Sequence, residues 1–120
     1  MTSTTTSAAT PVVAHGLPGP ALDATLLAEL RAVLEETRDD RRHLLQSLTA
    51  EELRAADTDP AAAARITSAR RALGEAADAL ARMDAGTFGL CVHCQGAIPQ
   101  ERLEFLPHAS GCVPCSRRRS

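Results

Sequence analysis

Residues 91–115 read CVHCQGAIPQERLEFLPHASGCVPC and contain two Cys-X-X-Cys pairs separated by seventeen residues. Cys91 and Cys94 form the first pair, and Cys112 and Cys115 form the second. Each pair offers two sulfur atoms from one tight turn, and Zn²⁺ binds four thiolates as a tetrahedron. The intervening segment is long enough to return the chain and bring the two pairs together. The spacing therefore predicts one structural zinc ion held by the four cysteines.

Four thiolates complete a tetrahedral zinc site and leave no position for water or substrate. We therefore predict that the chain is not an enzyme. Two disulfides are the alternative for these cysteines. The N-terminus has neither the basic start nor the apolar core of a secretory signal, and no apolar run approaches the ~20 residues of a membrane span. We therefore expect a cytoplasmic protein, in which paired Cys-X-X-Cys sequences bind metal more often than they form disulfides.

Two histidines near the cysteines are candidate ligands that the four thiolates make unnecessary, and a third histidine lies farther away. His93 and His108 lie close to the cysteines in sequence, and we interpret both as solvated or supporting side chains. His43 falls in a charged helical segment and is interpreted as a surface residue.

Two segments upstream of the cysteines repeat small or apolar residues at alternating spacings of three and four, which is typical of a helical seam. The first seam predicts a helix from 21 to 48, and the second predicts a helix that begins at Asp59-Pro60 and ends at Gly86. The first seam consists of Leu27, Leu30, Leu34, Leu44 and Leu48, with polar interruptions at Thr37 and Arg41. The second consists of Ile66, Ala69, Leu73, Ala76, Leu80 and Met83.

The short connection between the seams favours an antiparallel hairpin over residues 21–86, with its tip near 49–59. Seams of this kind also close between two chains, so the sequence leaves the monomer and the dimer open. At the tip, Thr49 and Glu52 have the spacing of a capping box. They predict either a short extra helix over about 50–56 or a kinked continuation of the first helix.

The predicted fold is mostly α: a long antiparallel coiled-coil hairpin followed by a small C-terminal zinc finger over residues 87–116. Within the finger we expect a small apolar cluster, and we expect Phe88 to dock it onto the hairpin base. The cluster would contain Ile98, Leu103, Phe105 and Leu106. Residues 1–20 are rich in Thr, Ser, Ala, Pro and Gly and are predicted to be a disordered tail. Residues 117–120 form an Arg-rich tail that we interpret as solvated.

The chain of 120 residues has a net charge of -2, which argues against a general nucleic-acid binder. Its residues 80–115 resemble the zinc finger of the DksA/TraR family. The resemblance is specific in the cysteine pairs and in the stretches 84–94, 98–99, 101–104 and 107. It implies a protein that binds bacterial RNA polymerase without recognising a DNA sequence or a membrane. Family members insert the hairpin into the secondary channel of the polymerase, where acidic tip residues alter initiation, and some act with ppGpp.

The resemblance also assigns the tip. Asp59 matches the first acidic residue of the family's tip motif, and Ala64 matches its final alanine. The second acidic position falls on Ala62, while Asp57 is a nearby acid at a displaced position. Asp59 is equally explained as the N-cap of the second helix. Gln95 replaces a glycine that the family usually has, and we expect Gly96 to take the turn instead.

Two other functions fit the residues. The finger and the Arg-rich tail could bind nucleic acid, although the chain has few aromatic residues for stacking on bases. The chain could also be a zinc-stabilised adaptor for a protein other than polymerase.

Overall fold

The structure is a computed structural model that describes residues 22–119. The predicted tail over residues 1–20 and the last residue of the Arg-rich tail lie outside these residues. The helices are α1 (Ala24–Gln46), α2 (Ala50–Ala55), α3 (Pro60–Ala85), α4 (Gln100–Phe105) and α5 (Val113–Arg119). Residues 22–119 contain no β-strand beyond a single bridge between Leu90 and Ala97. The predicted mostly helical fold is confirmed.

Side-chain caps fix where the long helices begin. The carboxylate of Asp23 accepts a hydrogen bond from the Leu26 amide at 2.7 Å, so α1 begins at Ala24. The predicted start at residue 21 is therefore too early. The carboxylate of Asp59 accepts from the Ala61 amide at 3.0 Å, and α3 begins at Pro60 as predicted. Each cap satisfies a backbone donor that the first turn of a helix leaves unpaired.

The C-terminus of α3 is also at its predicted place. Gly86 follows the helix with a φ of 79°, in the left-handed region that glycine adopts without steric cost. Its amide donates to the carbonyl oxygen of Met83 at 3.2 Å.

Helices α1 and α3 pack side by side in opposite directions. Near the start of α1, Arg31 lies 3.0 Å from Asp84 at the end of α3. Leu30 and Leu34 of α1 are buried, as are five residues of α3. Those five are Ile66, Ala69, Ala76, Ala79 and Leu80. The two seams therefore meet within one chain.

The first seam was predicted wrongly toward the tip. Leu44 is exposed, whereas Leu45 is half-buried. An α-helix has 3.6 residues per turn, so a strict seven-residue pattern drifts by ~20° in each heptad. Two heptads beyond Leu30, this drift has carried Leu44 to the edge of the contact with α3.

The tip contains the short extra helix α2, which resolves the two possibilities that the sequence left open. The Thr49 hydroxyl accepts from the Glu52 amide at 3.0 Å, and the Glu52 carboxylate accepts from the Thr49 amide at 2.8 Å. This reciprocal pair is the predicted capping box. No residue of α2 is buried, so local hydrogen bonds hold this helix in place of a core.

The finger and the base of the hairpin share one apolar core. Leu30 of α1 packs in a cluster with residues of the finger, namely Cys91, Ile98, Leu103, Ala109 and Cys115. Phe88 packs against this cluster and also against the hairpin cluster around Leu34 and Leu80, which confirms its predicted docking role.

The predicted apolar cluster of the finger is correct except at one residue. Ile98 and Leu103 are buried and Leu106 packs beside them, but Phe105 is 84% exposed. Leu103 is the buried residue of α4, and Phe105, two residues later, lies on the opposite side of this helix and faces solvent. Among the described residues, no helix is long and apolar enough to cross a membrane.

Candidate metal centre

A tight backbone turn presents the first cysteine pair. The amide of Cys91 donates to the Gly96 carbonyl at 2.8 Å, and the Gln95 amide donates to the Cys91 carbonyl at 2.8 Å. Below the turn, the amide of Ile98 donates to the Gly89 carbonyl at 2.7 Å. These bonds close the chain into a loop and turn the side chains of Cys91 and Cys94 to the same side.

The turn departs from its predicted geometry at one position. Gln95 has a φ of 64°, and Gly96 is not among the residues with positive φ. The expectation that Gly96 takes the left-handed conformation is therefore wrong. The turn requires this conformation directly after Cys94, so glutamine carries the strain that the usual glycine avoids.

The second cysteine pair lies at the start of α5, where the Ser116 amide donates to the Cys112 carbonyl at 2.9 Å. Two further contacts fix the preceding loop. The Val92 amide donates to the Ser110 carbonyl at 2.9 Å, and the Arg102 guanidinium donates to the Gly111 carbonyl at 3.0 Å. Helix α4 and the first turn thus hold the second pair against the first.

The four cysteine sulfurs form one compact donor set. All four lie within 4.8 Å of one another, and the Sγ atoms of Cys94 and Cys112 are 3.8 Å apart. A tetrahedron with Zn–S bonds of about 2.3 Å has sulfur–sulfur edges of about 3.8 Å. A disulfide requires about 2.05 Å, and all four cysteines are free. The donor set fits one structural zinc ion, and the disulfide alternative is excluded for this structure.

The pKa values of the two buried thiols, Cys91 and Cys115, are shifted in opposite directions. Burial opposes ionisation of Cys91, but hydrogen bonds from the backbone of Cys94, Cys112 and His93 together lower its pKa to about 5. Hydrogen bonding to Cys112, together with burial, raises the pKa of Cys115 to about 12, although the Arg118 charge opposes this rise. Because zinc binds thiolates, loading of such a site is coupled to the loss of thiol protons.

Two hydrogen-bond donors approach the sulfurs from outside the donor set. The guanidinium of Arg118 lies 3.0 Å from the Cys115 sulfur, and the backbone amide of His93 lies 3.4 Å from the Cys91 sulfur. A zinc ion with four thiolates has a net charge of -2, so donors at these positions stabilise the loaded site. The predicted Arg-rich tail is therefore not merely solvated, since Arg118 contacts the metal centre.

The histidines lie outside the cluster of four cysteines, which the described residues form without them. His93 and His43 are exposed. The imidazole of His108 lies 3.5 Å from the carboxylate of Glu75 on α3. This contact joins the finger to the hairpin.

Arg82 makes a second contact between the hairpin and the finger, which the sequence did not predict. The Arg82 guanidinium on α3 donates to the carbonyls of His108 and Ala109 at 3.3 and 3.4 Å. Burial lowers the pKa of Arg82, and the charge of Asp78 opposes that shift. In the sequence, Arg82 looks like the other charged residues on the outer face of this helix. Its role becomes visible only in the structure, where the finger loop lies against it.

The residues assigned to the tip lie far from the cysteines. Asp57, Asp59 and Ala64 are exposed, and Ala62 is half-buried. Helix α3 begins beside them and reaches the finger 26 residues later, which is ~39 Å at 1.5 Å per residue. The structure therefore brings together the metal-binding cysteines, and it places the acidic tip at the opposite end of the hairpin.

Fold and site together define a helical hairpin with a C4-type zinc finger at its base. Comparison with protein families places this finger in a known class: residues 86–120 match the prokaryotic dksA/traR C4-type zinc finger. The predicted resemblance is thereby confirmed for the finger, and its cofactor is one structural zinc ion.

The whole fold resembles a solved structure, that of transcription factor DksA2 from Pseudomonas aeruginosa. The two are 18% identical and superpose with a TM-score of 0.62 over 81% of this chain and 84% of that one. At this identity the likeness is one of fold. The search of curated proteins found no match.

Proposed function

We propose that this chain is a transcription regulator that binds bacterial RNA polymerase through its helical hairpin. The hairpin enters the secondary channel, and the tip around Asp59 modulates initiation. The finger family and the fold of a transcription factor support the proposal. The main structural support for this proposal is that the acidic tip and the metal centre lie at opposite ends of the hairpin. An exposed pair of carboxylates stands at the end of a long, narrow hairpin, and the apolar core is concentrated at the other end.

This proposal divides the chain by role. The hairpin over residues 21–86 is the inserted element, the finger over 87–116 fixes its base, and Arg118 of the Arg-rich tail supports the metal centre. Chemically, the tip offers negative charge and small side chains. Asp57 and Asp59 are exposed, and the nearby Ala64 adds no bulk. Carboxylates of this kind act on a catalytic centre through its metal ions and basic groups.

A test of Asp59 must distinguish the effect of its negative charge from its effect as the cap of α3. The carboxylate of Asp59 accepts from the Ala61 amide, so Asp59→Ala removes a cap worth ~1 kcal/mol as well as a charge. Asp59→Asn keeps an acceptor oxygen and removes only the charge. Asp23→Asn is the matched control, because Asp23 caps α1 in the same way at the base of the hairpin.

The test is competition binding to core RNA polymerase followed by transcription in vitro. The labelled wild type should bind and be displaced by an established secondary-channel factor. Asp59→Asn should bind similarly and lose most of its effect on transcription, whereas Asp23→Asn should retain both. Failure of the wild type to bind micromolar polymerase would refute the proposal. Equal activity of the Asp59 and Asp23 variants would refute the role of the tip charge.

A further inference from the structure

Phe105 is an aromatic residue at the end of α4 that the fold leaves in solvent. It is 84% exposed, although aromatic side chains gain more from burial than most others. Leu103 holds the inner side of this helix in the core of the finger, so the outer side is presented on a fixed backbone. Glu101 and Glu104 are also exposed, one turn or less from Phe105. The surface formed by Glu101, Glu104 and Phe105 is called the α4 face below.

A shallow groove runs along α3 near the tip of the hairpin. It has a volume of about 470 Å³. Its lining residues recur at helical spacing, namely Pro60, Ala63, Ala64, Thr67, Ser68 and Arg71. Ile66 and Ala69 are buried and lie on the other side of the helix, so the groove opens away from the seam between α1 and α3. Small side chains form the floor of the groove, and Arg71 is the charged residue of its lining.

The α4 face and the groove on α3 complement each other. The α4 face presents an aromatic ring beside two carboxylates, and the groove offers an apolar floor beside a guanidinium. Neither Arg71 nor Glu101 forms an ion pair with another residue that the structure describes. Both charges can therefore pair with an opposite charge on a second molecule. Nucleic acid and anionic lipid surfaces are negative, so both are repelled by the α4 face.

The finger rests on the same side of α3 as the groove. Arg71, Glu75 and Arg82 follow each other at spacings of four and seven residues and therefore share one side of this helix. Glu75 lies 3.5 Å from the imidazole of His108, and Arg82 donates to the carbonyls of His108 and Ala109. Along this side of α3 the groove lies toward the tip and the finger lies toward the base. A two-fold rotation exchanges the two ends, so the finger of each copy meets the groove of the other.

We propose that two copies of this chain associate about a two-fold axis, with Phe105 of each copy in the α3 groove of the other. The carboxylates of Glu101 and Glu104 then lie beside Arg71 of the second copy. Because a two-fold axis makes every contact twice, two modest contacts add within one dimer. The groove begins at Pro60, directly after Asp59, so the dimer covers one side of the tip. This association does not depend on the proposed function, since both surfaces belong to the same chain.

The test is sedimentation equilibrium of the zinc-loaded protein from low micromolar to submillimolar concentration. The wild type should reach twice the mass of the chain and dissociate on dilution and at high salt. Phe105→Ala and Arg71→Glu should each weaken the dimer about tenfold or more. The double variant Glu101→Arg, Glu104→Arg should weaken it as well. Combining this double variant with Arg71→Glu should restore association, because the charges are then exchanged between the two surfaces.

Arg70→Glu is the matched control, because Arg70 is exposed directly before Arg71 and does not line the groove. It makes the same change in charge and should leave the dimer intact, and zinc content and helical circular dichroism should not change in any variant. A wild type that stays monomeric at the highest concentration would overturn the inference. So would a dimer that survives Phe105→Ala, an equal loss in Arg70→Glu and Arg71→Glu, or no recovery when the charges are exchanged. A mass that rises beyond that of two chains would overturn the two-fold axis.

Discussion

Replacing Leu30 with alanine should weaken the metal centre although Leu30 lies 61 positions before the first cysteine. Leu30 is 5% exposed and packs with Cys91, Ile98, Leu103, Ala109 and Cys115. The substitution removes three carbon atoms from this cluster, worth about 0.8 kcal/mol each, or about 2.4 kcal/mol together. Incomplete collapse of the cavity raises the loss of unfolding free energy to about 3–4 kcal/mol.

Because the finger and the hairpin base share this core, part of the loss should appear as weaker zinc binding. A loss of 3 kcal/mol corresponds to a reduction in zinc affinity of up to about 100-fold. Urea unfolding followed by helical circular dichroism gives the stability. Competition with a chromophoric chelator gives the zinc affinity.

Leu44→Ala is the matched control, since it makes the same change on the same helix at a residue that is 41% exposed. It should cost no more than about 1.4 kcal/mol and leave zinc affinity unchanged. Equal destabilisation by the two substitutions would refute the shared core. So would a Leu30→Ala variant that loses helix stability and keeps the wild-type zinc affinity.

Four further outcomes follow from the structure. Removing zinc with a chelator should lower the melting temperature and reduce helicity, because structural zinc binding is coupled to folding; an unchanged spectrum and melting curve would contradict this. Gly86→Ala should cost about 1–2 kcal/mol in urea, because a φ of 79° strains any residue with a Cβ, and a neutral result would remove the left-handed cap from the account. Gln95→Gly should slow zinc release by relieving a φ of 64°, whereas Gln95→Val should accelerate it; the reverse order would argue against strain at this turn. Thr49→Ala should speed amide exchange in α2 and leave the global melting temperature unchanged, because no residue of α2 is buried; a large drop in melting temperature would mean that the tip is part of the core.

Local signals in the sequence predicted much of the fold correctly. Asp59-Pro60 and Gly86 mark the ends of α3, since capping and left-handed backbone depend on neighbouring residues alone. Thr49 and Glu52 likewise specify the start of α2. The Cys-X-X-Cys pairs predicted the metal centre because zinc chemistry restricts both the residue type and the spacing.

Other features depend on contacts with more distant parts of the chain. Phe105 was placed in the core because it is apolar, but the orientation of α4 is set by Leu103 and Arg102. No sequence pattern singles out Arg82, because the finger loop that it binds follows 26 positions later. The error at Gln95 is local: a propensity rule favoured the neighbouring glycine, but the hydrogen bonds around Cys91 determine which residue adopts the left-handed conformation.

The most direct test of the central claim is cross-linking from the tip of the hairpin. A photoreactive amino acid replaces Thr58, which is exposed between Asp57 and Asp59. A second sample carries it at Val33, nearer the base of the hairpin. With core RNA polymerase, position 58 should cross-link to segments around the catalytic centre, and position 33 should cross-link to the outer part of the secondary channel. Cross-links from position 58 to the outer surface of the polymerase, or none at all under binding conditions, would contradict it.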